Sequence, residues 1–389
     1  MKRFFTCLFK RVVAFVVNAL AYIKFGSRGN IIDSPAPGSI IYANHSCIWD
    51  FALLIRALYP RTDLRFVATG VQFDKSRFLA WGLKTLGVIR KQQGAHDIVC
   101  VRNIIKASRE GSVVVIYAAG MTSHEGRPAW DIMPGTGSLA KMLKCDVYTA
   151  LTEGGFISHP RYAHRSFKGR VDVTVKRLFT ASEVAQMTSD EAQTRINEAL
   201  CFNDWDWQTR ERVTFKGMRD TVGLSQTLYM CPACKKEGVM REQKGHLVCA
   251  ECGFSAERDA YGFFSSSNPA CPKRMDAWTD MELNALRDEI GQEDFRLSAK
   301  VQMQENKASE GYKPIDTGEL VLTKDRIYFS GDTKSESFGF DEFQFLIMSD
   351  YDDIKLNTSD RKLRFVFEDK RLITKWFFAH RIMVNGNDR

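Results

Sequence analysis

The stretch Ser39-Ile40-Ile41-Tyr42-Ala43-Asn44-His45-Ser46-Cys47-Ile48-Trp49-Asp50 decides how the rest of the chain is read. Its first five residues are a short apolar run and predict a strand. Ile48 to Leu58 is amphipathic and predicts a helix. A histidine at a strand end, five residues before an aspartate, suits a base and its orienting carboxylate. Positions five apart on one helix lie about 140° from each other. The two side chains therefore meet only if His45 sits in the turn and Asp50 folds back from the first helical turns. On this heptad alone, a capping or core histidine beside an incidental acid is an equal reading.

Outward from this stretch the chain alternates. Leu64–Ala68 is strand-like, Asp74–Leu86 helical, and Gly87–Arg90 a short strand. Asp97–Arg109 is helical and ends before Gly111; Ser112–Tyr117 is β-branched and suited to burial on both sheet faces. A helix over Pro134–Leu143 and strands over Asp146–Leu151 and Val171–Leu178 continue the rhythm, and Ser189–Leu200 is a well-capped helix. The pattern predicts an α/β domain with a mostly parallel sheet and flanking helices. Ligands of such sheets gather where the loops leave the carboxyl ends of the strands. Four loops qualify: Asn44–Asp50 with a base, Ile89–Lys91 with fixed cations, Ala118–Ser123 with small residues, and Thr152–Gly154. The remaining histidines, His96, His124, His159, His164, His246 and His380, have no comparable setting and read as surface or structural.

With 389 residues, 44% apolar content and 26% charged content, the chain suits two or three globular domains and excludes global disorder. A net charge of +8 fits any anionic partner, whether nucleic acid, membrane or phosphorylated substrate. Of the ten cysteines four form two Cys-x-x-Cys pairs and the other six are scattered, several inside apolar runs, a usage that fits a reducing compartment. At the N-terminus Lys10 and Arg11 interrupt the apolar residues. The uninterrupted part, Val12–Ile23, is shorter than the roughly 20 residues of a spanning helix. Basic residues among Phe4, Phe5, Leu8, Phe9, Phe15 and Tyr22 predict a membrane-interface helix, peripheral or monotopic at a cytoplasmic face. An ordinary docking helix is the other reading.

Cys231-Pro-Ala-Cys234 and Cys249-Ala-Glu-Cys252 are separated by fourteen residues. Two such knuckles place four thiolates for tetrahedral zinc, and four thiolates leave no open position for catalysis. The expectation is a structural zinc ribbon. Its lysines and arginines are balanced by glutamates, so a nucleic-acid partner is not expected. From Ala277 the pattern changes to a helix over Trp278–Leu286, then β-rich runs at Leu297–Met303, Glu319–Leu322, Arg326–Ser330, Gln344–Ile347 and Leu363–Phe367, and a terminal helix over Ile373–Met383. This predicts a small β-rich barrel or roll capped by a helix, similar to the pleckstrin-homology or GRAM class. Either a lipid- or protein-binding module or a scaffold packed on the ribbon fits it. The expected divisions are 1–30, 31–225, 226–275 and 276–389.

Residues 40–200 resemble the glycerolipid acyltransferase family, which includes the lysophosphatidic acid acyltransferases. The family's first motif stands intact as Asn44, His45 and Asp50. Leu86-Gly87-Val88-Ile89-Arg90 is similar to the second. Tyr117-Ala118-Ala119-Gly120-Met121-Thr122-Ser123 aligns with the third, Phe-Pro-Glu-Gly-Thr-Arg-Ser, keeping Gly120 and Ser123 but carrying Ala119 for glutamate and Thr122 for arginine. Val147–Ala150 resembles the fourth without its proline. The resemblance implies acyl transfer from a thioester of coenzyme A or a carrier protein to a lysophospholipid-like hydroxyl. It makes His45 the general base and Asp50 its orienter, with Asn44, Arg90, Gly120 and Ser123 on substrate. Arg127 could stand in for the missing arginine. The changes at Ala119 and Thr122 also fit an acyltransferase-like binding or scaffold protein without turnover. Cys47 is not required as a nucleophile.

Overall fold

The computed structural model describes residues 2–92, 97–128, 132–163, 165–307, 311–343, 346–349 and 352–385. Two units emerge, one of residues 1–161 and 165–218, the other of 162–164 and 219–389. His96 and His164, and the first two residues of the strand expected at Gln344, lie outside the described residues.

In the first unit, helix α1 (Lys2–Phe25) leads to strands β1 (Arg28–Ile31) and β2 (Ile40–Ala43). Then come α2 (Asp50–Ala57), β3 (Leu64–Thr69), α3 (Gly70–Asp74), α4 (Arg77–Leu86) and β4 (Ile89–Lys91). After these follow α5 (Ile98–Arg109), β5 (Val113–Tyr117), α6 (Thr136–Leu143), β6 (Val147–Glu153) and α7 (Gly155–Ser158). The unit ends with β7 (Asp172–Phe179), α8 (Ala181–Gln186), α9 (Ser189–Leu200) and α10 (Asp204–Glu211). The strands form one sheet in the order β1-β7-β6-β2-β5-β3-β4. It is parallel except where β7 runs against β6.

Strand β2 lies in the middle, and its period of two explains the core. Ile40 and Tyr42 point into one apolar cluster with Val114, Val147, Ile104 and Ile196. Ile41 and Ala43 point into another with Val113, Val115, Tyr148, Leu53 and Phe25. Alternation on a strand sends neighbours to opposite faces, and here both faces are covered. The sheet is thus a rigid plane whose carboxyl edge presents the loop carrying His45.

Helix α1 runs straight through Lys10 and Arg11, which are good helix formers with stems able to lie along apolar surface. Its span Phe4–Phe25 is long and apolar enough to cross a membrane, unlike the shorter stretch expected from sequence. Most of that span is exposed, including Phe4, Phe5, Leu8, Phe15 and Ile23. At the far end Phe25 is buried among Leu53, Leu54 and Cys47. Asn18 on this helix accepts from Arg56 Nη1 at 2.9 Å, and Arg56 Nε donates to Ser27 O. The helix expected over Asp74–Leu86 is broken at Lys75–Ser76, where Ser76 Oγ caps Leu79 N and starts α4 afresh.

The second unit opens with α11 (Leu224–Thr227) and a four-stranded antiparallel sheet, β8 (Met240–Gln243), β9 (His246–Cys249), β10 (Ser255–Arg258) and β11 (Phe264–Ser265). Helix α12 (Met275–Gly291) packs Trp278 against Phe254 and Phe264 and donates from its indole to Met230 O. Seven antiparallel strands follow: β12 (Leu297–Lys307), β13 (Gly311–Leu322), β14 (Arg326–Gly331), β15 (Ser335–Gly339), β16 (Ile347–Ser349), β17 (Asp353–Asn357) and β18 (Lys362–Phe367). Their order is β15-β14-β13-β12-β18-β17-β16. The terminal helix α13 (Ile373–Asn385) is tied to the ribbon and to α12 through Lys375, whose buried ammonium pairs with Glu237 and Glu289 at 2.6 Å each. His380 on this helix is buried between Phe340 and Phe343, and burial lowers it to about 3, so it is neutral.

Candidate active site

The turn after β2 brings His45 and Asp50 together as the strand-turn-helix geometry requires. His45 Nδ1 lies 2.8 Å from Asp50 Oδ2. The same oxygen accepts from the backbone N–H groups of Ser46 at 2.7 Å and Cys47 at 3.0 Å. Oδ1 accepts from Ser46 Oγ at 2.8 Å and Cys47 Sγ at 3.4 Å. Asp50 is fully buried, while the His45 side chain keeps 22% of its surface. A buried carboxylate survives only when its lone pairs are met, and here five donors converge on it. With Nδ1 turned to Asp50, the other ring nitrogen, Nε2, points away from the carboxylate. Tyr117, from the end of β5, stacks on the imidazole with centroids 4.6 Å apart.

Cys47 lies two residues from His45 and is buried. Burial and the neighbouring Asp50 carboxylate push its thiol well above the ordinary range, so the thiolate is suppressed. Burial likewise raises Tyr117 and keeps its phenol neutral beside His45.

The other residues expected at the site fall into distinct places. Asn44, expected on substrate, spends both ends of its amide on Thr152, giving Nδ2–H to the carbonyl at 2.8 Å and accepting from the N–H at 2.7 Å. It clamps β2 to the end of β6. Ser123 is buried and serves the same kind of purpose: its N–H donates to His45 O at 2.9 Å, and its hydroxyl donates to Arg127 O at 2.6 Å and accepts from Gly126 N at 2.8 Å. Gly120 makes the turn above β5 with φ of +68°, a region that favours glycine. Arg127 donates to Glu125 from Nε and Nη2, the latter at 2.7 Å, and the glutamate is buried. Arg90 stands on β4, three strand spacings or about 14 Å across the sheet from β2. It is half exposed and gives Nη2 to both Asp74 oxygens.

Several residues that matter to the geometry were not singled out by the sequence. Arg161 Nη1 reaches Thr122 Oγ1 at 3.3 Å and lies 3.5 Å from His124 Nε2, so a guanidinium stands at the position where the third motif lost one. Asp204, at the start of α10, is completely buried and accepts from Gly154 N at 2.9 Å and Phe156 N at 2.8 Å. It fixes the tight turn at the end of β6. That turn lies so close to the first motif that a Cβ on Gly155 would overlap Ser46 Oγ, the donor to Asp50. Trp205 adds a bond from its indole to Glu125 O at 2.7 Å, and Asp204 N donates to Gly126 O. Helix α10 therefore backs two of the loops around His45. The signal available was Asn203, an N-cap residue ahead of an acid and two tryptophans.

Residues 29–152 match the acyltransferase family model. The matched segment is 124 of the chain's 389 residues. It holds His45, Asp50 and every family-motif residue of the site, while α10 lies beyond it. Among solved structures, the 1-acyl-sn-glycerophosphate (LPA) acyltransferase PlsC from Thermotoga maritima aligns at 14% identity with a TM-score of 0.42, covering 52% of this chain and 81% of that one. No curated protein matches the chain.

A second match, to a zinc ribbon domain model, covers residues 226–257. The thiol sulfurs of Cys231, Cys234, Cys249 and Cys252 all lie within 4.8 Å of one another. The Cys231–Cys252 and Cys234–Cys249 pairs are 3.7 and 3.8 Å apart. Zinc–sulfur bonds of about 2.3 Å in a tetrahedron set edges of about 3.8 Å, so the four cysteines fit zinc. Four thiolates fill its coordination and assign it to holding the knuckles together.

Two measurements check this geometry. The purified chain is expected to carry one zinc per molecule, and Cys234→Ser is expected to lower zinc content and melting temperature together; full stability without metal would contradict the assignment. Asp204 is raised from the usual carboxylate range to about 7, chiefly by burial. A raised folded-state value means that the folded chain holds this proton longer than the unfolded chain. Ionising Asp204 therefore weakens the fold as pH climbs from about 4 to about 7. Asp204→Asn is expected to flatten that part of the stability-versus-pH curve, measured by thermal unfolding across the range.

Proposed function

We propose that this protein is a membrane-associated acyltransferase that moves a fatty acyl group from a thioester of coenzyme A or a carrier protein to the hydroxyl of a lysophospholipid-like acceptor. The observation that carries the reading is the His45–Asp50 contact of 2.8 Å, with the carboxylate wholly enclosed by donors and the imidazole still exposed. His45 Nε2 takes the acceptor's hydroxyl proton as the oxygen attacks the thioester carbonyl. Asp50 holds the ring in the tautomer with Nδ1 protonated and stabilises the imidazolium. The tetrahedral intermediate then expels the thiolate, which takes the proton from Nε2 and leaves as a thiol. The products are an ester and a free thiol, with no covalent enzyme intermediate, in keeping with the suppressed Cys47 thiolate.

Acceptor recognition rests on cations at the carboxyl edge of the sheet, Arg90 about 14 Å from β2 among them. Arg90 and Arg127 are the residues assigned to the acceptor's anionic part, with Gly120 allowing close approach of substrate to backbone. Both arginines already hold a carboxylate, Asp74 and Glu125, so binding a phosphate there exchanges one anion for another. Asn44 and Ser123 contribute as the clamps that set the loops. The apolar, exposed α1 supports delivery of lipid substrate from a membrane surface.

The test is thioester consumption by the purified chain with a panel of lysolipids. His45→Ala and Asp50→Asn are each expected to reduce turnover on the order of 10²–10⁴-fold while leaving the melting temperature of His45→Ala close to that of the parent. Equal turnover by parent and His45→Ala would count against His45 as the base, and none by either would favour a binding or scaffold role, the reading that Ala119 and Thr122 permit.

A further inference from the structure

Helix α4 has sound ends and only a half-buried inner side, at Ala80, Leu83 and Leu86. Ser76 caps its start, and Gly87 at φ +79° closes it with Val88 N donating to Leu83 O at 2.9 Å. None of its ten residues is buried. Phe78 is 80% exposed and Trp81 54%, with Leu79 beside them and Val71 exposed on the preceding α3. A helix this short is marginal in water without an apolar face covered by something. Phe78 and Trp81 are three apart and share a face, their rings 6.0 Å apart. Trp81 also meets Phe9 of α1 at 5.4 Å. The exposed rings of α4 thus continue the exposed apolar length of α1 into one surface. Lys75, Arg77 and Lys84 are exposed around it; Arg77 and Lys84, seven apart, form one stripe next to Trp81.

We propose that α4 is a second membrane-inserting element, and that with α1 it forms a platform seated in the headgroup region of an anionic lipid surface. The proposal rests on the membrane reading of α1 and extends it to a segment between the first two motifs. Phenylalanine and tryptophan on the apolar side with a basic flank are the chemistry of an interfacial helix, and the basic stripe selects anionic headgroups. Asp74, the acid closest in sequence to the helix, faces Arg90 rather than opposing that stripe.

The experiment is flotation of the full-length protein with vesicles of phosphatidylglycerol and phosphatidylcholine in equal parts, and with phosphatidylcholine alone. Phe78→Asp/Trp81→Asp is expected to bind the mixed vesicles at least tenfold more weakly, with an unchanged melting temperature because neither ring is buried. The parent is expected to bind pure phosphatidylcholine more weakly than the mixed vesicles. Trp81 is the one exposed tryptophan among the described residues. Brominated acyl chains are therefore expected to quench fluorescence of the parent and much less that of Trp81→Phe. Parent-like binding by the double variant, or equal quenching in Trp81→Phe, overturns the proposal. If Phe5→Asp/Phe15→Asp on α1 then still releases the protein, the reading of α1 survives alone. Failure of the parent to bind either vesicle overturns both.

Discussion

A single buried carboxylate is the constraint around which the first unit is built. Asp50 lies with no access to water, and every one of its five donors comes from residues 45 to 47. Such an anion tolerates little movement of those donors, because each lost hydrogen bond leaves charge unmet in a low-dielectric interior. The turn after β2 must therefore keep one shape, and neighbouring elements are arranged to keep it. Asn44 ties the strand end to β6, Ser123 ties the loop after β5 to His45 O, and the Gly154–Gly155 turn presses on Ser46. Imidazole orientation is a product of this packing as much as of the pair itself.

Much of this was legible in the sequence, for physical reasons. The β-branched runs at β2 and β5 alternate between two cores, so their burial on both faces is written in their composition. The pairing of His45 with Asp50 follows from a bend between a strand and a helix. The four-cysteine cluster follows from ligand spacing. Less legible were features set by distant contacts. The antiparallel course of β7 against β6 has no local signal. Polar strands β15 and β17 were missed because Ser335–Gly339 and Asp353–Asn357 lack an apolar run and are held by their neighbours' ladders. The split between α3 and α4 turned on one serine cap.

The site residues divide along the same line. Asn44 and Ser123 read as substrate contacts because the resemblance placed them beside the base, yet their polar atoms serve main-chain partners whose approach no spacing announces. Arg127 carries its own counter-charge two residues away in Glu125. Asp204 and Arg161 come to the site through chain reversals after β6, well removed in sequence from the first motif.

That distance has a consequence for the order in which the domain is made. The contact between His45 and Asp50 spans only six residues of chain. Their outer support waits for β7, which begins 122 residues after Asp50 and slots between β1 and β6, and for α10, which begins 154 residues after it and fastens the β6 turn. Until then the nascent chain adds an open sheet edge to the apolar N-terminal helix that stays exposed in the finished fold, a state suited to capture by a membrane or a chaperone while translation is still under way.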